Sequence, residues 1–163
     1  EIRPRDWSSD VCSSDLRAWA DPAFKTCLLT DAKAAATEMG VNVSDMPEIT
    51  VLENTLVLHH MVVCTLCSCY PKAILGMSPA WYKSAAYRAR AVKDPRGVLR
   101  EFGTDLPHGT AVRVVDSTAE LRYMVLPMRP PGTESLDESQ LATLVTRDCM
   151  IGVTLPKSPT EPR

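Results

Sequence analysis

Apolar residues recur at the spacing of an amphipathic helix in the first third of the chain and again beyond its midpoint. An Asp-Pro pair at Asp21 predicts a helix start, and the periodic stretch after it stops at Gly40. A second Asp-Pro pair, at Asp94, predicts another start. The predicted helices are Phe24–Met39, Trp81–Val92, a segment from Pro95 to just before Gly103, and a short segment that a capping box of Ser135 and Glu138 opens and that ends near Thr146.

Short β-branched and apolar runs lie between these helices and predict strands. The runs are Glu48–Glu53, Leu56–Val63, Ala111–Val115, Leu121–Leu126 and Ile151–Leu155. The third and fourth flank a polar turn at 116–120, so we expect them to form a strand pair. The sum is an α+β domain with helices packed around a mixed or antiparallel β core.

The first sixteen residues show neither the periodicity of a helix nor that of a strand. Residues 6–16 have the sequence that one reading frame of a common sequencing-adapter oligonucleotide encodes, and the alternative is a genuine, disordered polar tail. We therefore exclude residues 1–16 from functional reasoning and expect the natural N-terminal part to be missing. The predicted catalytic domain covers residues 17–156, and 157–163 form a frayed tail.

The composition excludes several classes of protein. With 163 residues, 45% of them hydrophobic and 23% charged, the chain can form one globular core. A formal net charge of −2 without a basic stripe argues against a nucleic-acid partner. No apolar run is long enough to span a bilayer, and no signal segment is visible, so we expect a cytoplasmic protein.

Three of the six cysteines, Cys64, Cys67 and Cys69, fall within six residues, which indicates a metal site rather than a disulfide framework. The sulfurs of Cys67 and Cys69 and the backbone nitrogens of Ser68 and Cys69 can close three adjoining chelate rings around one ion. Cys64 can then reach an axial position, which leaves the opposite face open. We call this arrangement of residues 64–69 the claw.

Thiolates and deprotonated amides are strong anionic donors, which suit low-spin cobalt(III) or iron(III) better than tetrahedral zinc. Their excess negative charge has to be offset by nearby cations or relieved by oxidation of sulfur. A zinc site completed by His59 or His60 stays open as an alternative, although both histidines fit a structural role at the end of a strand. Cys27 and Cys149 fit core positions.

The stretch Val63–Pro71 resembles the metal claw of nitrile hydratase α subunits and of the related thiocyanate hydrolase γ subunits. The resemblance continues through most of residues 17–156. It includes Glu53–Thr55, Trp81–Ser84, Tyr87–Arg90, Pro95-Arg96, Glu101–Gly103, Arg122–Pro127, Arg129-Pro130, Gly132–Glu134 and Thr146–Asp148. It implies the fold of that α subunit.

The resemblance also implies the cofactor and the reaction. A threonine at Thr65 accompanies cobalt in the family, so it implies one cobalt(III) ion per subunit, with iron(III) as the alternative. The implied ligands are Cys64, Cys67, Ser68 and Cys69, with Cys67 as a sulfinic and Cys69 as a sulfenic acid. The implied activity is that of a hydro-lyase, which hydrates a small-molecule nitrile to an amide with hydroxide or the Cys69 sulfenate oxygen as nucleophile.

The remaining implied groups surround the claw. Cys67, Ser68 and Cys69 would form the catalytic centre, and Thr65, Tyr70, Asp116, Glu120 and Arg122 would lie behind it. A salt-bridged turn is the alternative for the last three. The family's α subunit pairs with a β subunit, as a heterodimer or heterotetramer, and β-subunit arginines bind the oxidised cysteines. We therefore expect this chain to be inactive alone.

The chain departs from nitrile hydratases at two places. Next to the claw, Lys72-Ala73 stands where they usually have Trp-Pro, and before the first strand Asp45–Pro47 replaces a Gln-Gly-Glu stretch. A cation at Lys72 in the substrate pocket would suit an anion such as thiocyanate, which is converted to carbonyl sulfide and ammonia. The γ-type subunit of a thiocyanate hydrolase is therefore the alternative function. A non-catalytic metal-binding protein is the third and weakest.

Overall fold

The computed structural model describes residues 13–159, in which helices enclose two small β-sheets. The helices are α1 (Ser13–Ala20), α2 (Pro22–Thr30), α3 (Ala32–Glu38), α4 (Lys72–Leu75), α5 (Ala80–Lys83), α6 (Ala85–Lys93), α7 (Pro95–Glu101), α8 (Glu138–Ala142) and α9 (Arg147–Ile151). The strands are β1 (Glu48–Glu53), β2 (Leu58–Val63), β3 (Ala111–Asp116) and β4 (Leu121–Leu126). Helices α2 and α3 contact β1, α6 and α7 contact the other sheet, and β2 and β4 join the two sheets. The predicted α+β class is confirmed.

Both strand pairs are parallel, which corrects the predicted strand pairing. Strand β1 pairs with β4 from Glu48 opposite Leu121 onward, and β2 pairs with β3 and ends with Val63 opposite Asp116. The polar turn between β3 and β4 therefore carries the chain from one sheet to the other rather than closing a hairpin. The expected mixed or antiparallel core is wrong on this point, because the partner of each strand lies far away in the sequence.

Polar caps divide the predicted long helices. The Asp21 side chain accepts hydrogen bonds from the backbone at the start of α2. Asp31 ends α2 and caps α3, so the predicted continuous helix from Phe24 to Met39 is two helices. Ser84 similarly separates α5 from α6 and caps the latter. An aspartate or serine side chain competes for backbone donors, which favours a new helix start over continuation.

Two predictions near the C-terminus are wrong. The capping box of α8 is formed by Asp137 and Gln140 rather than by Ser135 and Glu138. Ile151 closes helix α9, and no strand covers 151–155. Gly152 follows α9 in a left-handed conformation, the usual way in which a glycine ends a helix.

Gly152 joins α9 to a buried polar network on β2. His59 Nε2 donates to the Gly152 carbonyl at 2.6 Å, and the Asn54 amide donates to His59 Nδ1 at 3.1 Å. Asn54 Oδ1 also accepts from the His60 backbone N–H at 2.8 Å. Burial lowers the pKa of both imidazoles, so neutral rings occupy the core. These contacts confirm that His59 and His60 are structural.

Helix α1 begins four residues before the predicted domain start at Arg17. Leu16 is buried, and Trp19 Nε1 donates to the Pro127 carbonyl at 2.9 Å. The Asp15 carboxyl is also buried, and this burial raises its pKa well above the usual value. A buried carboxyl without a partner is costly to the stability of the fold. Residues 1–12 and 160–163 of the predicted terminal segments lie outside the described residues. Among residues 13–159, none of the helices is long and apolar enough to cross a membrane.

We expect Gly152→Ala to lower the free energy of unfolding by at least about 2 kcal/mol. Gly152 has φ +89°, and a Cβ there would lie 2.0 Å from the His60 carbonyl oxygen. Gly40→Ala is the matched control, because Gly40 has φ +82° with no atom within 4 Å of the added Cβ. It should cost only about 1 kcal/mol of backbone strain. Equal losses of both variants in urea unfolding would contradict the close approach of α9 to β2.

Candidate metal centre

The three cysteines of the claw converge directly after β2. The Cys64 and Cys67 sulfurs lie 3.4 Å apart and the Cys67 and Cys69 sulfurs 2.9 Å apart, and all three lie within 4.8 Å of one another. Cys64 and Cys69 are buried, whereas Cys67 is exposed. All three are free thiols. One ion could therefore contact all three sulfurs from the exposed side.

The backbone of the claw faces the same point. The N–H groups of Ser68 and Cys69 lie close enough to the Cys67 thiol to contribute to lowering its pKa. Hydrogen bonds from the Cys69 and Cys64 thiols, with smaller contributions from these amides, lower the pKa of Cys67 to about 7. Burial and the bond to Cys67 raise the pKa of Cys69 to about 12, against the opposing charge of Arg122. Of these two cysteines, Cys67 thus carries negative charge more readily than Cys69.

The end of β3 anchors the claw from one side. The Asp116 carboxylate accepts from the Thr65 backbone N–H at 2.9 Å and from the Thr65 hydroxyl at 2.5 Å. The parallel pairing places Asp116 opposite Val63, next to Cys64. Asp116 therefore lies next to the claw, as predicted, and contacts it through Thr65.

Side chains of helices α5 and α6 bind two backbone carbonyls of the claw and one of β2 just before it. Tyr82 donates to the Cys69 carbonyl at 2.7 Å, and Arg88 Nη1 donates to the Cys67 carbonyl at 3.2 Å. Tyr87 donates to the Val62 carbonyl at 2.6 Å, just before the claw. The sequence gives these three side chains no site role of their own. They lie in stretches that carry the family resemblance, which is the one signal that could have marked them.

A cavity of about 390 Å³ lies beside the claw. Its wall contains three cations, one of which is the predicted pocket residue Lys72. The lining residues are Cys67, Ser68, Cys69, Tyr70, Lys72, Met77, Ser78, Lys83 and Arg122. The structure thus brings Lys72, Tyr70 and Arg122 to the claw. Positive charge at this wall opposes the negative charge of thiolates.

Tyr70 and Glu120 differ in their relation to the site. Tyr70 is buried edge-to-face against Tyr82, with ring centroids 5.2 Å apart, and burial raises the pKa of its hydroxyl. Glu120 is exposed, and its backbone carbonyl accepts from the Glu48 N–H at 3.0 Å. Among the described residues, Glu120 does not line the cavity at the claw. No ion pair is formed by the turn residues Asp116, Glu120 and Arg122 in the part of the chain that the structure describes.

The other candidate ligands are occupied elsewhere. His59 and His60 bond to Asn54 and Gly152, and the metal-type cluster found within residues 13–159 consists of the three cysteines. Cys149 is buried, as predicted for a core position. Cys27 is half-buried and packs against the edge of the core. The geometry therefore gives no support to a zinc site that includes a histidine.

The donor set fits a metal ion of the predicted kind. Three convergent thiols and two adjacent amide groups close to the Cys67 sulfur supply the atoms of the chelate rings. Cys64, Cys67 and Cys69 would hold the ion through sulfur, and Ser68 and Cys69 through nitrogen. A histidine or carboxylate ligand is not needed.

Known proteins are similar to this chain in sequence and in fold. A family profile described as nitrile hydratase, alpha chain, matches residues 11–154. The low-molecular weight cobalt-containing nitrile hydratase subunit alpha of Rhodococcus rhodochrous is 60% identical over 145 residues, which make up 89% of this chain and 70% of that protein. The thiocyanate hydrolase subunit gamma of Thiobacillus thioparus is 48% identical, over 86% of this chain and 63% of that protein.

A similar solved structure is that of a double mutant of the Fe-type nitrile hydratase from Comamonas testosteroni Ni1. It has a TM-score of 0.89 and 46% identity, and the match covers 98% of this chain and 78% of that one. The predicted resemblance is therefore confirmed across the claw and the surrounding fold. The chain belongs to the nitrile hydratase alpha-chain family of enzyme subunits.

Proposed function

We propose that this chain is the metal-binding subunit of a cobalt nitrile hydratase, which adds one water molecule to a nitrile to give an amide. The observation that carries the proposal is the convergence of three cysteine sulfurs and two backbone amides beside a cavity. The cobalt-containing relatives support the choice of metal. Thr65 supports it as well, because the resemblance associates threonine at this position with cobalt and serine with iron.

Cobalt(III) bound by the claw would act as a Lewis acid toward the nitrile or water. The chain itself contributes the shape and charge of the site. Tyr70 and Met77 give the cavity wall apolar surface for the substrate side chain, while Lys72, Lys83 and Arg122 counter the negative charge of the claw. Arg122 lies close enough to Cys69 to oppose the rise in the pKa of that thiol.

Oxidation of two cysteines forms part of the proposal. A peroxide-class oxidant transfers one oxygen atom to a thiolate and leaves as water, so two equivalents convert Cys67 to a sulfinic acid and one converts Cys69 to a sulfenic acid. Cys67 is exposed and its pKa is lowered to about 7, which favours its thiolate as the first to react. The buried Cys69 is less accessible, which suits a lower oxidation state.

A second subunit completes the site in this proposal. Leu66, inside the claw, is 83% exposed, and Met77, on the cavity wall, is 66% exposed. Large apolar side chains in such positions are typical of an interface that another chain covers. We infer that this partner is a nitrile hydratase β subunit, in an αβ unit, and that its arginines bind the oxygen atoms on Cys67 and Cys69.

Thiocyanate hydrolysis is the second candidate function. Thiocyanate and two waters give carbonyl sulfide, ammonia and hydroxide, so the substrate is an anion. Lys72 on the cavity wall stands where nitrile hydratases usually have tryptophan, and a cation added at this position favours an anionic ligand. The similarity to a thiocyanate hydrolase γ subunit also supports thiocyanate hydrolysis.

We expect Cys64→Ala and Cys69→Ala to abolish cobalt retention, because each removes a sulfur of the claw. Cobalt per chain is measured by elemental mass spectrometry after purification from cobalt-supplemented cells. Cys27→Ala is the control, since Cys27 is a free cysteine outside the cluster. Full metal occupancy in Cys64→Ala would refute the claw. Zinc on unmodified thiols in the unaltered chain would refute the cobalt enzyme.

We expect Asp116→Asn to weaken cobalt retention roughly 10-fold, a typical effect of losing a group that orients metal ligands. The amide cannot accept at both positions where Asp116 now binds Thr65. Retention is followed as the rate of cobalt loss to a chelator. Asp105→Asn serves as the control on an exposed aspartate. Equal rates for the two variants would show that the Thr65 anchor does not support the claw.

We expect the chain, produced with the subunit encoded next to its gene, to form amide from a simple nitrile. Carbonyl sulfide from thiocyanate without amide from nitriles would instead establish the second candidate. In that case Lys72→Met should raise the KM for thiocyanate by several-fold, the effect of about 1 kcal/mol for one exposed charge pair. Lys93→Met is the control, because Lys93 lies outside this cavity.

A further inference from the structure

With a metal bound as proposed, the claw would carry negative charge on two peptide nitrogens as well as on sulfur. The Arg88 guanidinium lies next to one of these peptide groups rather than next to a thiol. We propose that Arg88 is a positioning residue that stabilises metal binding by the Ser68 nitrogen. It does so through the Cys67 carbonyl oxygen, which belongs to the same peptide group. This inference rests on the proposed claw and adds a residue to it.

Arg88 approaches the claw from α6. Its Nη1 donates to the Cys67 carbonyl oxygen at 3.2 Å, and the side chain is half-buried. The Nε atom of the same guanidinium is buried and has no hydrogen-bond partner among the described residues. A guanidinium is positively charged, and it is also planar, so its N–H donors have fixed directions relative to one another.

The bonding of the peptide group explains why this contact matters. The carbonyl carbon of Cys67 is bonded both to its oxygen and to the Ser68 nitrogen, and resonance delocalises electrons over these three atoms. When the nitrogen binds a metal as an anion, part of its charge resides on the Cys67 oxygen. A hydrogen bond from a cationic donor to a charged oxygen is stronger than one between neutral groups. Arg88 therefore favours the form of the peptide that binds the metal.

Tyr82 provides a natural comparison within the same site. Its hydroxyl donates to the Cys69 carbonyl at 2.7 Å, which is a shorter contact. That carbonyl, however, is conjugated to the Tyr70 nitrogen, which is not a ligand in the claw. Loss of the Tyr82 bond thus removes support for the backbone without removing charge compensation from a ligand.

The other cations near the claw act on a different side. Lys72, Lys83 and Arg122 line the cavity at the sulfurs. Arg88 lines a separate cavity with Thr65 and Val92. The positive charge around the claw is therefore divided between the sulfur side and the peptide side, and Arg88 occupies the peptide side.

The test compares Arg88→Gln and Arg88→Lys with Tyr82→Phe and Arg90→Gln in the full chain from cobalt-supplemented cells. Arg90 is the matched cation on α6, where it pairs with Glu101 away from the claw. The rate of cobalt loss to a chelator and the Tm of the metal-free chain are measured. We expect Arg88→Gln to lose cobalt roughly 10- to 100-fold faster than the unaltered chain, with an unchanged metal-free Tm.

The remaining variants separate charge from structural support. Arg88→Lys keeps the cation and should lose cobalt more slowly than Arg88→Gln, while Tyr82→Phe and Arg90→Gln should lose it at most a few-fold faster than the unaltered chain. Unaltered retention in Arg88→Gln, or an equal loss in Tyr82→Phe, would overturn the role of Arg88. If Arg88→Gln does not fold, Arg88→Met takes its place as the neutral variant, and unaltered cobalt retention in Arg88→Met would overturn the role of Arg88. An unaltered chain that holds no cobalt would instead contradict the proposed claw.

Discussion

The parallel pairing of β2 with β3 determines where the claw lies. It places Val63 opposite Asp116, so the loop that leaves β2 and the end of β3 emerge at the same edge. Asp116 can then bind both polar hydrogens of Thr65, within the claw. An antiparallel pair would put the end of one strand beside the start of the other and separate these residues. The close packing of Gly152 against His60 fixes α9 against the same strand.

The claw itself is short of internal structure and depends on neighbouring elements. Residues 64–71 contain no helix or strand, and their polar backbone groups are bound by side chains from β3, α5 and α6. The absence of helix or strand in this loop matters for metal binding. In a helix or sheet, the amide N–H groups would already donate hydrogen bonds to backbone carbonyls. The loop is held through the Thr65 N–H and the Cys67 and Cys69 carbonyls, which leaves the Ser68 and Cys69 nitrogens available next to the sulfurs. The metal-binding atoms are thus arranged by contacts that do not consume them.

Local features were predictable from the sequence, and distant pairings were not. The bounds of β1 and β4 agree with the prediction, because alternating β-branched runs between turns define a strand locally. The claw was predictable for a related reason, since the chelate rings involve consecutive residues. The choice of β4 as partner of β1 depends on residues some seventy positions apart. Tyr82 and Arg88 likewise act across folded distances, and their side chains have no local pattern that reveals their targets.

In the proposed site, the residues that would hold the metal and the residues that would select the substrate are different. The identity of the metal and the identity of the substrate are therefore separate questions. The three sulfurs and two amides are set by chelation and suit either a neutral nitrile or thiocyanate. The cavity wall carries three cations, which exceed what a neutral substrate requires. With a metal bound as proposed, the claw would have an excess of negative charge before any substrate binds, so cations at this wall would serve the metal centre in both reactions. A cation favours an anionic substrate only when it exceeds the positive charge that the metal centre needs. Lys72 is such a cation, because nitrile hydratases usually have an uncharged tryptophan at this position.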